Sequence, residues 1–209
     1  MIMIKIESYA IGPVSTNCYI AVNTETKECF IVDPAVCPEQ IVSHIKEEGW
    51  IPKAILLTHA HFDHISGIDG FLLAFDMPVY VHEADEEMLR DPKLNMSTDI
   101  CRPYAYNNAL CVKDRVALDI AGFKIQVLFT PGHTPGGCCY YIADEHVVFS
   151  GDTLFCMSVG RSDFPGGDAM QLSWSIQEKL MNLPEETKVY PGHMEETTIG
   201  FEKENNPYL

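Results

Sequence analysis

Basic residues are scarce in this chain: 14 lysines and arginines face 30 aspartates and glutamates, for a formal net charge of −16. Such a surface repels phosphate backbones and anionic headgroups, which excludes general nucleic-acid and anionic-membrane binding. Long apolar runs are also missing. No stretch approaches the roughly 20 residues of a membrane span. The opening "MIMIKIESYAIGP" lacks a basic n-region, a continuous apolar core and a small-residue cleavage site, so the expected location is cytoplasmic. The eight cysteines contain no CxxC pair. With no export signal, they are expected to be reduced and mostly buried as small apolar residues. Internal repeats, low-complexity tracts and linkers are lacking too, and 209 residues suit one domain spanning 1–209.

What is present is a recurrence of short β-type runs: "IMIKIES", "NCYIAVN", "CFIVDP", "KAILLT", "PVYVH", "KIQVLFT", "GCCYYIA", "HVVFSGD" and "TKVYPG". Several are nearly all apolar, as in strands buried on both faces. Alternation sends Cys138 and Cys139 to opposite faces of theirs. Helical spacing predicts helices over 38–49, 65–76, 83–91 and 168–184. Strands come first and then alternate with helices, a pattern that suits an α/β protein with two sheets and helices outside them. The longest irregular stretch, 91–111, reads as a lid or insert.

The chemistry is concentrated in "LLTHAHFDHISG", residues 56–67. An apolar strand runs into His59, His61, Asp63 and His64. In extended chain, His59 and His61 share a face and can approach one cation. After a change of direction, Asp63 and His64 can face a second. Imidazole and carboxylate suit zinc, iron or manganese. At this composition a chance H-x-H-x-D-H has odds of roughly one in a thousand. Three further apolar strands end in a turn with a ligand type: His133 in "VLFTPGHTPGG", Asp152 in "HVVFSGDTLF" and His193 in "KVYPGHMEE". Each alone has a dull reading as a hydrogen-bonded His or a turn Asp. Together they total five histidines and two aspartates, enough for two cations with a shared carboxylate.

"THAHFDHISG", "TPGHTPGG", "FSGDTLF", "GRSDFPGGD" and "YPGH" resemble the metallo-β-lactamase-fold hydrolases. Within them the chain most resembles single-domain glyoxalase II-like (hydroxyacylglutathione hydrolase-like) proteins, from "IVDPA" to the tail "TTIGFEKENNPYL". The resemblance implies a four-layer αβ/βα sandwich. It implies one metal on His59, His61 and His133, a second on Asp63, His64 and His193, and Asp152 bridging both. The cofactors implied are two divalent ions, zinc first, with iron or manganese as alternatives. The reaction implied is hydrolysis of a small-molecule thioester, S-lactoylglutathione or a related acyl thiol, by a metal-bridging hydroxide. Asp152 and Asp63 would be the catalytic carboxylates, Asp63 also as a proton acceptor.

Alternatives at this stage are a mononuclear iron persulfide dioxygenase and a lactonase. A β-lactam substrate is set aside because Asp152, not a thiolate, holds the bridging position. Gly137 and the Met194-Glu195 pair depart from the family pattern. The helical domain that supplies much of the glutathione site in two-domain relatives is not found in residues 1–209.

Other residues carry open readings. Asp33 is either an acceptor that orients a ligating histidine or a strand-end turn residue beside Pro34. Arg161 either holds a substrate carboxylate or pairs with Asp163 or a backbone carbonyl. Tyr104, Tyr106 and Asn107 either line the substrate cleft or pack the 91–111 loop, and Arg102 is that loop's main basic candidate. His44 in a helix, His82 ending a strand and His146 starting one are read as ordinary hydrogen-bonding residues.

Overall fold

The structure, a computed structural model, describes residues 3–100 and 102–209. The first sheet consists of β1 (Ile4–Ile11), β2 (Thr16–Asn23), β3 (Glu28–Val32), β4 (Ile51–Leu56), β5 (Val79–His82) and β6 (Leu110–Val112), in that spatial order. β1–β3 are antiparallel, and β3–β6 run parallel. The second sheet contains β7 (Ala117–Ile120), β8 (Phe123–Phe129), β9 (Cys138–Ile142) and β10 (Val147–Gly151). A small hairpin, β11 (Leu154–Phe155) with β12 (Ser158–Val159), follows. β13 (Lys188–Pro191) then pairs parallel with β10, and β14 (Thr197–Thr198) closes that edge.

Period-2 alternation builds the layers. In β2, Cys18, Ile20 and Val22 join one cluster, while Tyr19 and Ala21 join another. β3 and β4 split the same way: Cys29, Ile31 and Ile55 on one side, Phe30, Val32, Ala54 and Leu56 on the other. The first face meets α1 (Glu39–Glu47) through Ile41 and Ile45. It also meets α2 (Phe62–Ile65) and α3 (Ile68–Ala74) through Ile65, Ile68 and Phe71. The second face packs on Ile125, Val127, Tyr140, Val147 and Phe149 of the other sheet. That sheet's far face, with Leu128, Cys139, Tyr141 and Val148, is covered by Leu172, Ile176 and Leu180. These are helix–sheet, sheet–sheet and sheet–helix cores, the αβ/βα sandwich expected. Cys138 and Cys139 do face opposite layers. The seven described cysteines are free thiols, four of them buried and Cys111 exposed, while Cys101 lies outside the described residues.

Several expected elements differ in detail. The helix read over 65–76 is two pieces, α2 and α3, broken at Ser66–Gly67. Here the chain lies against the 34–36 segment so closely that a Cβ on Gly67 would sit 2.1 Å from the Pro34 carbonyl oxygen. The 83–91 segment is a 3₁₀ turn, Glu83–Asp85, followed by α4 (Glu86–Arg90). The 91–111 stretch is not wholly irregular. It contains α5 (Ser97–Ile100), pinned where buried Asn95 accepts from the Ser97 amide. α6 (Ala169–Ser175) is capped by Asp168, whose side chain accepts from the Gln171 amide, and runs on as a π-type segment, Ile176–Leu180. α7 (Ile199–Asn205) is the last element. His146 precedes β10 rather than starting it, with φ 52°. Among the described residues, no helix is long and apolar enough to cross a membrane.

Candidate metal centre

The candidate residues all follow strand ends at one rim of the sandwich, where open α/β sheets tend to place ligands. Asp33 follows β3, His59 follows β4, His133 follows β8, Asp152 follows β10 and His193 follows β13. His61 precedes α2, which carries Asp63 and His64.

The seven side chains converge. Ligand atoms of His59, His61 and His133 lie within 4.8 Å of one another, and so do those of Asp63, His64 and His193. A third such group, His59, His64 and Asp152, links the two sets. Asp152 Oδ1 is 3.4 Å from His64 Nε2, and its Oδ2 lies 3.4 Å from His133 Nε2 and 3.5 Å from His193 Nε2. His64 and His193 each place Nε2 3.3 Å from Asp63 Oδ2.

Hydrogen bonds fix which nitrogen faces the centre. Asp33 Oδ2 accepts from His64 Nδ1 at 2.9 Å and from the Thr58 hydroxyl at 2.7 Å. Since that hydroxyl donates to Asp33, His59 Nδ1, 3.1 Å away, is assigned as donor to Thr58 Oγ1. His133 Nδ1 donates to the Arg161 carbonyl at 2.6 Å. Nε2 of His59, His64 and His133 is left for the centre. His61 instead turns Nδ1 to within 2.9 Å of His133 Nε2. His59 Nε2, His61 Nε2, His64 Nε2 and Asp152 Oδ1 are buried with no hydrogen-bond partner among the described residues. Buried polar atoms of this kind call for an unseen partner. The imidazole and carboxylate donors fit divalent cations.

The electrostatics agree. Burial, then the neighbouring His64 and His133, pushes the His59 pKa well down. Burial, then His133, takes His61 down to about 3. Both rings are therefore neutral, as metal ligation requires. Burial opposes charge on His64 too, but Asp63, Asp33 and Asp152 outweigh it and raise its pKa to about 10. A cation bound there would replace that proton. Burial also raises Asp63, yet His64 and hydrogen bonds from His193 and Thr16 overcome it and hold the carboxylate far below the usual range. An ionised carboxylate is the form that metal ligation requires.

Glycine is required at Gly192, because a Cβ there would meet Asp152 Oδ1 at 2.1 Å and His64 Cε1 at 2.8 Å. Asp33 reconciles its two readings. It occupies a left-handed strand-end turn, φ 50°, and its carboxylate also orients His64.

Other candidates separate. Arg161 is bound to Asp163 through Nε–Oδ1 at 2.7 Å and Nη2–Oδ2 at 2.8 Å, and its guanidinium lies 3.8 Å from the Phe164 ring centroid. It also lines a cleft of about 540 Å³ over the centre, with Val14, Phe155 and Met194. Tyr104 and Arg102 line an adjoining cavity. Tyr106 packs against the first core cluster, its amide bonded to the Leu89 carbonyl, in keeping with the loop-packing one of its two readings. His82 stacks on Phe129, and His44 pairs with Glu7, as ordinary histidines do.

Sequence reading missed four supports. The Thr16 hydroxyl donates to Asp63 Oδ2 at 2.6 Å. Asn17 Nδ2 donates to the Pro191 and Met194 carbonyls, holding the His193 turn. Asp85, fully buried, accepts from the Ala60 amide, the Thr134 hydroxyl and the Gly136 amide, and so ties the His59–His61 turn to the His133 turn. Glu202 anchors the β11–β12 hairpin through the Met157 amide. The usable signal was a polar Thr-Asn pair at the head of an otherwise apolar strand. Asp85 gave none within its acidic run.

Residues 11–193 match the family model of the metallo-β-lactamase superfamily. The chain belongs to this superfamily. A Bacillus subtilis relative named probable metallo-hydrolase YqgX is 40% identical over 205 residues, covering 95% of this chain and 94% of its own. Hydroxyacylglutathione hydrolase GloC of Haemophilus influenzae is 31% identical, covering 98% of each. Among solved structures, the BLEG-1 B3 metallo-β-lactamase superposes with a TM-score of 0.92 at 42% identity, covering 98% of this chain and 99% of that one. A di-iron-bound form of TTHA1623 superposes with a TM-score of 0.86 at 36% identity, covering 97% and 100%. The chain is thus a metallo-hydrolase of this superfamily with a His/Asp site for divalent metal.

Proposed function

We propose that this superfamily member hydrolyses thioesters with two divalent cations, zinc first, held by His59, His61 and His133 and by Asp63, His64 and His193, with Asp152 between them. The observation that carries this reading is the convergence of seven ligand-type side chains from four strand ends, with Nε2 of His59, His61 and His64 and Asp152 Oδ1 buried and partnerless among the described residues. When bound, such a pair of cations lowers the pKa of a shared water toward neutrality and polarises a carbonyl oxygen. Asp33 and Thr58 hold the His64 and His59 rings in register for it.

The cleft over the centre supports a thioester. Outside the His/Asp cluster its lining is mainly Val14, Phe62, Met96, Phe155, Val159, Phe164 and Met194, with Ser158 and the ion-paired Arg161. Neither Ser158 nor Arg161 is a useful acid for a leaving amine at neutral pH. A thiolate needs none: the new C–O bond forms, the C–S bond breaks, and sulfur leaves with the electron pair. GloC, by its name a hydroxyacylglutathione hydrolase, supports a small hydroxyacyl group. The likeness to BLEG-1 favours a second substrate class, β-lactams. The di-iron TTHA1623 keeps iron beside zinc as resident metal.

The test is metal quantification of fresh protein, with turnover of S-lactoylglutathione, a lactone and a β-lactam. Two metals per chain and thioester turnover are expected, and Asp152→Ala should lose both. Full metal content and unchanged kinetics in that variant, or one iron with oxygen uptake, would overturn the reading.

A further inference from the structure

The "GRSDFPGGD" stretch, residues 160–168, connects β12 to α6 and touches two of the turns that carry ligands. At its start, Gly160 lies so close to the chain at Asp152 that a Cβ would strike the Asp152 carbonyl oxygen, and its amide donates to the Thr153 carbonyl at 3.4 Å. Next, the Arg161 carbonyl accepts from His133 Nδ1 at 2.6 Å. At its end, the Asp168 amide donates to the Gly132 carbonyl at 2.8 Å. The loop thus runs from the turn of the shared carboxylate to the turn of His133. Residues 160–163 belong to no helix or strand, so no regular backbone pairing sets the direction of the Arg161 carbonyl. Side chains are left to set it. Arg161 grips both oxygens of Asp163 two positions on, at 2.7 and 2.8 Å, and its guanidinium lies 3.8 Å from the Phe164 ring centroid. Phe164 in turn stands edge-on to His61, with the ring centroids 5.5 Å apart.

We infer that Arg161 is a positioning residue for the metal centre: its fork onto Asp163 and its stack on Phe164 lock the loop, so that the Arg161 carbonyl holds the His133 ring with Nε2 toward the cation. The inference rests on the His/Asp centre holding metal and is independent of the thioester reading. Both charges are largely in solvent, with side chains 57% and 68% exposed, so the pair adds little to the stability of the whole fold. What it adds is local geometry. A planar guanidinium can hold both carboxylate oxygens and a ring face at once, and an ammonium cannot. The partner of a ligating imidazole's second nitrogen fixes its tautomer and orientation, and here that partner is a carbonyl whose own direction is held by the side chain of the same residue.

The test compares the full chain with Arg161→Ala, Arg161→Lys, Asp163→Ala and the Arg161→Ala/Asp163→Ala double variant. Chelator competition should show affinity for one zinc equivalent lowered by about three- to tenfold in Arg161→Ala. Asp163→Ala should match it, and the double variant should be no worse than either, because the two side chains act as one unit. Arg161→Lys keeps the charge but not the fork, so it should resemble Arg161→Ala. Nitrogen-15 NMR should show faster solvent exchange of the His133 Nδ1–H in each variant, while the urea midpoint of the metal-free protein stays within error of wild type. Wild-type zinc affinity and exchange in Arg161→Ala would overturn the inference. So would full recovery in Arg161→Lys, or a fall in the urea midpoint as large as the loss of zinc affinity. A raised KM with zinc affinity unchanged would make Arg161 a substrate contact instead. If the wild type binds no divalent metal, the metal reading itself falls, and the exchange rate of His133 Nδ1–H in the metal-free protein still decides whether Arg161 holds that ring.

Discussion

Asp33 Oδ2 and His64 Nδ1 are 2.9 Å apart and both buried, and the same carboxylate accepts from the amide and hydroxyl of Thr58. One side chain therefore sets the direction of His64 and, through Thr58, of His59. Asp33→Asn isolates this effect, because Asn tolerates the left-handed backbone at φ 50°. Losing such an outer partner lowers metal affinity by about 10–100-fold. Chelator competition should show that drop with the far-UV spectrum retained. Wild-type affinity in Asp33→Asn would deny Asp33 its orienting role.

Asp85 links the two turns that carry His59, His61 and His133. All three of its partners donate to it, the Gly136 amide at 2.6 Å, the Thr134 hydroxyl at 2.8 Å and the Ala60 amide at 3.0 Å. In Asp85→Asn an amide NH₂ would confront at least one of these donors. The expected cost is about 1–3 kcal/mol of stability, the scale for an unsatisfied buried group. Urea unfolding of the metal-free protein should show it, along with looser binding of the first equivalent of zinc. A midpoint within error of wild type would mean that the two turns hold without Asp85.

The metal cluster was legible because its signal is local. His59, His61, Asp63 and His64 lie within six positions, and His133, Asp152 and His193 each follow an apolar strand. The layers were legible for a similar reason: "TNCYIAVN" and "CCYYI" alternate between two cores within one strand. What supports the ligands was not legible. Asp85 meets Thr134 and Gly136 about fifty positions away, and nothing in "EADEEMLR" separates one buried carboxylate from its solvated neighbours. The split between α2 and α3 depends on contact of Gly67 with Pro34, which helical spacing cannot register. Tyr106, partly buried, packs against the first core cluster, whose residues come from other elements.

The tail motif "TTIGFEKENNP" acts through the β11–β12 hairpin. Glu202, fully buried, accepts from the Met157 amide at 3.0 Å, the Thr197 hydroxyl at 2.6 Å and Asn206 Nδ2 at 2.7 Å. Asn206 Nδ2 also donates to the Ser158 carbonyl. The hairpin's Phe155, Ser158 and Val159 line the cleft over the centre. Glu202→Ala should cost about 1–3 kcal/mol of stability and raise KM more than it lowers kcat. Glu202→Gln can keep its oxygen toward the Met157 amide and Asn206 while the Thr197 hydroxyl turns to accept from the new NH₂, and should restore KM. Equal KM values in both variants and the wild type would remove the tail from any part in shaping the cleft.

Asp114 gives a pH signature away from the metal centre. Its Oδ1 accepts from the Phe129 amide at 2.9 Å and its Oδ2 from Lys179 Nζ at 2.8 Å, joining the turn before β7 to the π-type segment. Burial favours the protonated form, but Lys179 and the Phe129 amide outweigh it and lower the pKa from its ordinary 3.8. A depressed carboxylate pKa means that the unfolded chain binds the proton more readily. The resulting stability is fully present above the unfolded value and is lost as pH falls through the folded one. The group is partly exposed, so the ion pair contributes no more than about 1 kcal/mol. Asp114→Asn should therefore unfold at lower urea than wild type at pH 7, with the gap narrowing as the pH falls below 3.8. The closing gap reports Asp114 itself. A gap of constant size from pH 7 to pH 3 would mean that Asp114 supports the fold by shape and neutral hydrogen bonding, not by its charge.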